Sequence, residues 1–242
     1  IISYRLVSHK GNHFRGIPLP GGQKSVIGVK DSVIRLPGTG RDAVSLHYRA
    51  PDWDPTEKKT DTDMKKRVLI LSSSPRRHGN SDTLCDEFLR GAREAGHDAE
   101  KIFLRDRTIY YCTGCGTCTE PGRSCPQYDD AREIIEKMVK ADVIVLASPV
   151  YFYAMSAQMK TLIDRCCSEY LRMSNKEFYF IITAAEQDKG AMERVIEGFR
   201  GFLDCLEGAR ERDTIYGLGV WKMHEINGHP ALHEAYEAGR KL

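Results

Sequence analysis

Hydroxyl, amide and guanidinium side chains crowd into a loop between a short apolar run, Val68–Leu71, and a stretch with helical periodicity. The hydrogen-bonding residues are Ser72, Ser73, Ser74, Arg76, Asn80, Ser81 and Thr83. Free backbone N–H groups and the helix dipole make a helix start an anion site, and Gly79 is expected to adopt a φ that other residues resist. The nucleoside-triphosphate motif G-x-x-x-x-G-K-[ST] is absent, so the loop predicts a monophosphate-ester site. A solvated loop with a serine N-cap is the alternative.

Three consecutive aromatic residues follow a second apolar run, Val143–Ala147. They stand in the segment Ala147–Ser156, between a predicted buried strand and the start of a helix. In an open α/β sheet, ligands bind at the carboxyl ends of the strands, where the strand order reverses. Aromatic side chains there favour a flat conjugated ring as the ligand. The alternative is packing of the three rings in the core.

Four cysteines lie close together in the pattern Cys112-x-x-Cys115-x-x-Cys118-x6-Cys125, followed by proline. This compact spacing is typical of iron–sulfur cluster loops, although the last gap is longer than in a ferredoxin run. A tetrahedral zinc site and a redox thiol set without metal are the alternatives. Eight cysteines in 242 residues are too few for a disulfide scaffold. Their crowding indicates a reducing compartment, and the cytoplasm is the default expectation.

The remaining cysteines indicate little chemistry. Cys85, Cys166, Cys167 and Cys205 are all expected to be buried as small apolar side chains, and His78 is expected to face solvent. No serine–histidine–aspartate or paired-carboxylate arrangement stands out. This favours chemistry carried by a cofactor rather than by side chains.

Alternating elements position these motifs. Predicted strands cover Val68–Leu71, Ala99–Leu104, Val143–Ala147, Phe178–Thr183 and Asp213–Leu218. Predicted helices cover Ser81–Ala95, Asp129–Lys140, Ser156–Tyr170, Ala191–Leu206 and Pro230–Leu242. This alternation predicts an α/β fold with a parallel sheet and helices on both faces. Right-handed crossovers then limit the topology to a few doubly wound arrangements.

Residues 1–63 differ from the rest of the chain. They are rich in glycine, proline, arginine and aspartate, and Pro51–Asp63 has the composition of a linker. Gly38–Ala43 fits G-x-G-x-x-A, but the linker leaves no room for the helix and strand of a dinucleotide-binding unit. We expect an N-terminal extension over 1–63, poorly ordered or a small β appendage, and one domain over 64–242.

Charge and hydropathy argue against two partner classes. The formal net charge is +2, from 36 lysine and arginine against 34 aspartate and glutamate residues. This balance gives no strong electrostatic case for binding nucleic acid or a membrane surface. The longest apolar runs are strand-sized and far shorter than a bilayer span.

Together, the two loops resemble those of a known family. Ser74-Pro75-Arg76 with Gly79-Asn80-Ser81 is similar to the G-S-P-R-x-x-G-N-[TS] loop of flavodoxin-like, NADPH-dependent FMN reductases. The stretch from Ser148-Pro149-Val150-Tyr151 to Asp164-Arg165 is similar to that family's second signature. The match covers about Lys65 to Leu242. Ser73 departs from the family, which usually has glycine there, and its side chain is expected to narrow the loop slightly while leaving the hydroxyls in place. The cysteine spacing resembles that of iron–sulfur flavoproteins, a branch of the same family.

The resemblance implies a flavodoxin-like, doubly wound, five-stranded parallel sheet of order 2-1-3-4-5, with FMN between strands one and three. It implies an FMN phosphate site formed by Ser74, Arg76, Asn80, Ser81 and Thr83. It implies an isoalloxazine site lined by Pro149, Val150, Tyr151, Phe152, Tyr153 and Met155. Thr183 to Glu186 would approach the ring from the other side. In that branch a [4Fe–4S] cluster near the flavin, at a subunit interface, would be bound by Cys112, Cys115, Cys118 and Cys125.

The implied activity is that of an FMN-dependent oxidoreductase, moving electrons from ferredoxin or NAD(P)H to a small acceptor through the cluster. Without a cluster, NAD(P)H would reduce FMN by hydride transfer, and a quinone, flavin or nitroaromatic would reoxidise it. The family's use of residues from two chains implies a homodimer or homotetramer. The alternative from another functional class is a sensor rather than an enzyme, in which the same fold carries a zinc site or redox-active thiols. A further alternative treats residues 1–63 as a partner-binding module.

Overall fold

A computed structural model describes residues 65–242, and the extension predicted over 1–63 lies outside the described residues. The strands of the described part are β1 (Arg67–Ser72), β2 (Asp98–Phe103), β3 (Val143–Tyr151), β4 (Ala154–Met155), β5 (Glu177–Ala184) and β6 (Arg210–Leu218). Its α-helices are α1 (Asn80–Glu94), α2 (Ala131–Lys140), α3 (Ala157–Arg165), α4 (Glu193–Leu203) and α5 (Ala231–Arg240). No helix of this part is long and apolar enough to cross a membrane.

The sheet has the order β2-β1-β3-β5-β6, with the two-residue β4 paired antiparallel to the end of β3. The other pairings are parallel. Counting only these parallel strands gives 2-1-3-4-5, so the predicted flavodoxin-like topology is confirmed. The chain leaves β1 for β2 on one side and returns to β3 on the other. The crevice between β1 and β3 is therefore the switch point of the sheet.

Alternate residues of the central strands enter two separate cores, because successive side chains of a strand point to opposite faces. Ile70 and Val145 pack on the face covered by α1 and α5. Leu71 and Leu146 pack on the other face, beneath α2, α3 and α4. Since both faces of β3 are covered, its run Val143–Ala147 is apolar without interruption.

Several predicted boundaries differ from the structure by a few residues, and two of these differences have a clear physical reason. The helix expected over Ser156–Tyr170 ends at Arg165, and two 3-10 turns follow at Cys166–Ser168 and Tyr170–Arg172. Such turns are frequent at α-helix ends, and hydrophobic periodicity alone does not distinguish them from further helical turns. The third strand continues to Tyr151, beyond its apolar run, because β4 turns back and pairs with it.

Helices α1 and α5 approach closely through two glycines. A Cβ atom on Gly91 would lie 2.1 Å from the Tyr236 carbonyl oxygen, and one on Gly239 would lie 2.2 Å from that of Phe88. We expect Gly91→Ala to lower the free energy of unfolding by about 1–3 kcal/mol, since the helices must move apart. Urea denaturation measures this loss.

The matched control for this substitution is Gly201→Ala in α4, where an added Cβ atom meets nothing within 4 Å. It should leave the stability unchanged or raise it by up to about 1 kcal/mol, through helix propensity alone. An equal effect of the two substitutions would contradict the close packing of α1 on α5.

Candidate functional site

A cleft of about 390 Å³ opens at the carboxyl ends of β1, β3 and β5. Its volume lies in the range of roughly 300–1,000 Å³ that small-molecule sites occupy. The predicted residues that line it are Ser74, Arg76, Asn80, Ser81, Pro149, Val150, Tyr151, Phe152, Tyr153, Thr183 and Glu186. The fold thus brings the polar loop, the aromatic segment and the end of β5 into one cavity at the switch point.

Thr83 and Met155 do not line the cleft, contrary to the expectation for them. The Thr83 hydroxyl donates to the carbonyl of Gly79 within the first turn of α1, at 3.1 Å. Met155 packs against the core beneath α4, and its methyl carbon would lie 3.2 Å from a Cβ atom on Gly198. Both side chains therefore serve local packing.

The polar loop ends at Gly79, the N-cap of α1, and no side chain caps this helix start. The N–H groups of the first turn are thus available to an anion. Gly79 has φ −70°, so the expectation of an unusual φ is wrong. Glycine is required at this position for a steric reason instead, because a Cβ atom would lie 2.8 Å from Ser74 Oγ and 2.9 Å from the Arg76 carbonyl oxygen. The positive φ, 56°, belongs to His78.

Asp82 supports this loop from below, although no local pattern marks it beyond an acidic residue in the first turn of a helix. It is only 3 % exposed. Its carboxylate accepts hydrogen bonds from Ser72 Oγ at 2.8 Å, from the His78 N–H at 3.1 Å and from Lys101 Nζ at 2.9 Å. The bond to the His78 N–H stabilises the left-handed residue of the loop.

The carboxylates near His78 already have a cation. His78, Asp82 and Asp86 offer ligand atoms within 4.8 Å of one another, the one such group found among residues 65–242. Lys101 Nζ lies 2.9 Å from Asp82 and 2.5 Å from Asp86. Its ammonium bonds to both carboxylates and offsets part of their charge, so the group explains the shape of the loop rather than a metal site.

A distant segment closes one side of the cleft. Arg76 donates to the Trp221 carbonyl oxygen at 2.9 Å, and Asn80 Nδ2 donates to that of Lys222 at 2.9 Å. The Glu225 carboxylate accepts from the N–H groups of Trp221 and Lys222. Trp221 itself is 71 % exposed and lines the cleft. Met192 and Val220 also line it, and no local sequence pattern predicts these three residues.

The aromatic segment forms a tight hairpin, and the alternative of core packing for its rings is wrong. Phe152 and Tyr153, between β3 and β4, have φ values of 49° and 58°. Two positive φ values are typical of a type I′ turn, which favours asparagine and glycine. Phe152 is 102 % exposed, and Tyr151 and Tyr153 are also exposed. Bulky side chains in this conformation are outliers and indicate a functional constraint.

Glu186 joins the loop after β5 to the hairpin. Its carboxylate accepts from the N–H groups of Gln187 at 2.8 Å and Asp188 at 3.0 Å. Hydrogen bonds from these N–H groups, and then from the Tyr153 hydroxyl, lower the pKa of Glu186. Arg194 lies over the Tyr153 ring, 5.5 Å from its centroid. The rim of the cleft therefore carries an ionised carboxylate beside a positioned tyrosine.

Ser73 does not narrow the polar loop, contrary to expectation. Its hydroxyl is buried away from the cleft and donates to the Ala147 carbonyl oxygen at 2.8 Å. The Ser156 hydroxyl donates to Ser73 Oγ at 2.8 Å, and the Ser156 N–H donates to Ser148 Oγ at 2.8 Å. These serines connect the polar loop to the start of α3.

The cysteine loop lies between β2 and α2, outside the cleft. All eight cysteines are in the described part and are unpaired. Cys112 and Cys115 are exposed, while Cys118 and Cys125 are half-buried. The glycines of the loop, Gly114, Gly116 and Gly122, all have positive φ. Among residues 65–242, no three cysteine sulfurs lie within 4.8 Å of one another.

Two thiols of this loop have shifted pKa values. Hydrogen bonds from the Thr117 hydroxyl and N–H lower the pKa of Cys115. Burial, followed by the neighbouring Cys167 and Cys125, raises the pKa of Cys118. Cys167 is half-buried and Cys205 is exposed, so the burial expected for these two is wrong. Cys205 lies beyond the end of α4, whereas Cys85 and Cys166 are buried as expected.

Arg165 fixes both ends of the cysteine loop from beneath. Its Nη1 donates to the Tyr110 carbonyl oxygen at 2.8 Å, and its Nη2 donates to Asp129 Oδ1 at 3.1 Å. Nη2 also lies 3.5 Å from Cys125 Sγ. Its Nε is buried without a partner, the one such side-chain nitrogen or oxygen among residues 65–242. The Cys125 thiol beside this guanidinium, together with the unused Nε donor, fits a sulfur-bound metal group, which accepts hydrogen bonds at its sulfurs.

The sheet order and the switch-point cleft define a flavodoxin-like α/β protein. The family model described as NADPH-dependent FMN reductase matches residues 66–205. The chain therefore belongs to this family of flavin oxidoreductases.

Named relatives support the expected branch. An iron–sulfur flavoprotein of Archaeoglobus fulgidus is 38 % identical over 141 residues, covering 55 % of this chain and 63 % of that protein. An iron–sulfur flavoprotein of Methanocaldococcus jannaschii is 46 % identical over 99 residues, covering 41 % and 51 %. The chain thus spans about half to two thirds of the length of these relatives. The predicted family and branch are confirmed.

A solved structure supports the fold. The NAD(P)H:quinone oxidoreductase from Methanothermobacter marburgensis superposes with a TM-score of 0.59 at 20 % identity. The match covers 73 % of this chain and 96 % of that one.

Proposed function

We propose that the protein is an FMN-dependent oxidoreductase whose cysteine loop binds a [4Fe–4S] cluster. The observation that carries the proposal is the shape of one cleft. An uncapped helix start and serine hydroxyls form its polar end, and an exposed aromatic hairpin forms its flat end. A phosphate ester joined to a planar ring matches both ends at once. Membership in the FMN reductase family supports FMN as that ligand.

The chain itself would bind and orient the cofactor. The first-turn N–H groups of α1, with Ser74 and Ser81, would receive the phosphate, and Arg76 would add positive charge beside it. The hairpin would cover one side of the ring, and Thr183 to Glu186 would approach from the other. Since its pKa is lowered, Glu186 stays ionised. It accepts hydrogen bonds from backbone N–H groups rather than supplying a proton. FMN, when bound, supplies the hydride and single-electron chemistry.

The cysteine loop would connect this site to a one-electron donor. Cys112, Cys115, Cys118 and Cys125 would hold the cluster, and ferredoxin is the proposed donor. NAD(P)H is the alternative donor, and it would stack on the flavin within the same cleft. A quinone, a flavin or a nitroaromatic suits the small acceptor. The cytoplasm, where thiols stay reduced, suits such a loop.

The test is an anaerobic ultraviolet–visible spectrum of purified protein, with iron, zinc and acid-labile sulfide assayed on the same sample. We expect flavin bands above a broad iron–sulfur shoulder, with about four irons per chain. Flavin bands without iron would replace the proposal with a cluster-free NAD(P)H-dependent reductase. Zinc without flavin would contradict both cofactors and favour a redox sensor.

Asp82→Asn should weaken FMN binding by about tenfold, equivalent to about 1.4 kcal/mol. The amide has one acceptor oxygen, which Ser72 and Lys101 hold at the Oδ1 position, so the NH2 group faces the His78 N–H and that hydrogen bond is lost. Fluorescence titration of the apoprotein with FMN measures the change. Asp86→Asn is the control, because Asp86 pairs with the same Lys101 without touching the loop. Equal affinities for the two variants would contradict the supporting role of Asp82.

A homodimer or homotetramer would bury the aromatic hairpin. Phe152 is fully exposed at a strained turn beside the cleft, and a second copy is the proposed cover. We expect Phe152→Gly to weaken self-association at least tenfold. The variant should keep or gain monomer stability, since glycine relieves a left-handed cost of about 1–2 kcal/mol.

Sedimentation velocity over a concentration series measures this self-association. Leu171→Ala is the matched control, because Leu171 is also apolar and 79 % exposed but lies in the 3-10 turn Tyr170–Arg172, outside the hairpin. A wild-type protein that stays monomeric at all concentrations would contradict the proposed assembly.

A further inference from the structure

Arg165 is a buried guanidinium whose contacts exceed what a structural ion pair needs. The residue is 3 % exposed, and its charge is neutralised by Asp129, which lies just after the cysteine loop. The same carboxylate also accepts hydrogen bonds from the backbone N–H groups of Tyr110 at 2.8 Å and Ala131 at 3.1 Å. Asp129 thus ties the two ends of the cysteine loop together, and Asp130 does the same through its two hydrogen bonds with Thr108. The extra donors of Arg165 are not required for that task.

One of those extra donors faces a cysteine sulfur. Arg165 Nη2 lies 3.5 Å from the sulfur of Cys125, and Nε remains without a partner. A guanidinium carries five donors in a rigid plane and keeps its charge at any physiological pH. The fold therefore places a fixed positive charge and a directed N–H group against one predicted ligand of the cluster.

The other charged side chains near Arg165 do not add a second carboxylate to its guanidinium. Arg132 also approaches Cys125 and donates to its carbonyl oxygen at 3.3 Å. Glu169, which lines the same small cavity, is paired with Arg172 at 2.8 Å. Of the carboxylates facing the guanidinium, Asp129 is the one that contacts it. Arg165 thus contacts the sulfur of Cys125, and Arg132 contacts its backbone carbonyl.

We propose that Arg165 is a positioning residue that holds the Cys125 sulfur for the cluster and raises the cluster's reduction potential. This inference rests on the cluster proposed above. Hydrogen bonds to ligand sulfurs and nearby positive charge favour the reduced, more negative state. Because the guanidinium also joins Tyr110 to Cys125, it would keep the fourth cysteine in place and slow the loss of iron.

The experiment uses the full chain with its cofactors and compares three variants with wild type. Arg165→Lys keeps the charge but loses the planar fork. Arg165→Gln with Asp129→Asn removes both charges, so no buried ion is left unpaired. Arg172→Gln is the matched control, because Arg172 is exposed and pairs with Glu136 and Glu169. The FMN content of each variant reports whether the sheet has folded.

Two readouts are independent of turnover. The first is the midpoint potential of the iron–sulfur absorbance in an anaerobic redox titration. The second is the rate at which a chelator removes iron. We expect Arg165→Lys and the double variant to shift the reduction equilibrium about tenfold towards the oxidised form, which is 59 mV for one electron. Iron release should be about tenfold faster, while Arg172→Gln matches wild type.

Unchanged potential and iron release in both Arg165 variants would overturn the inference while leaving the proposed function standing. Wild-type protein that binds no iron would overturn the proposed cluster, and this inference with it. If Arg165→Lys lacks FMN because it does not fold, the charge-neutral double variant decides the question.

Discussion

Replacing Gly79 by valine is expected to abolish FMN binding while the sheet still folds. Even one Cβ atom would lie 2.8 Å from Ser74 Oγ and 2.9 Å from the Arg76 carbonyl oxygen. The hydroxyl could rotate away, but the backbone carbonyl cannot. The loop must therefore shift, and the first-turn N–H groups of α1 would move with it. Because Gly79 has an ordinary φ of −70°, the whole effect is steric.

We expect at least a hundredfold loss of FMN affinity, about 2.7 kcal/mol, measured by fluorescence titration of the apoprotein. Gly79→Ala should give a smaller loss in the same direction. Gly201→Val, at an open helical position, is the control and should bind FMN like wild type. Undiminished binding by Gly79→Val would mean that the phosphate lies elsewhere.

Asp129→Ala is expected to cause the largest loss of stability, about 3–5 kcal/mol, because it leaves a buried charge without its partner. The side chains of Asp129 and Arg165 are 0 % and 2 % exposed. The substitution also removes the acceptor for the N–H groups of Tyr110 and Ala131. Urea denaturation at neutral pH measures the change.

Asp106→Ala is the matched control, since Asp106 pairs with Arg77 at the surface. Exposed pairs of this kind contribute about 0–1 kcal/mol. Comparable losses from the two substitutions would show that burial does not distinguish the pairs.

The effect of Asp129→Ala should depend on pH in a defined direction. Burial raises the pKa of Asp129, but hydrogen bonds from Arg165 and the Tyr110 N–H outweigh it, so the pKa falls below its ordinary value of 3.8. A carboxyl with a lowered folded-state pKa stabilises the protein fully above its unfolded pKa, and this stabilisation is lost as the pH falls through the folded value. The difference between variant and wild type should be constant above about pH 5 and shrink below about pH 4.

The sequence by itself determined the parallel sheet and the edge at which the candidate site lies, while the family resemblance supplied the strand order. The sheet and the edge follow from local periodicity, because buried parallel strands read as short apolar runs and the loops after them meet at one edge. Val68–Leu71 followed by the serine loop, and Val143–Ala147 followed by three aromatics, locate both sides of the cleft. The family resemblance added FMN and the cysteine site to this framework, and the family is confirmed.

Only the tertiary structure decided which residues support those loops and which side chains leave the cleft. Arg76 and Trp221 are separated by 145 positions, and Arg165 and Cys125 by 40. No local pattern records contacts at such distances, because they depend on how crossovers place one loop over another. Three further features are equally invisible to local sequence patterns: the steric need for Gly79, the exposure of Phe152 and the burial of Ser73. Each depends on atoms that only the packed sheet brings within contact.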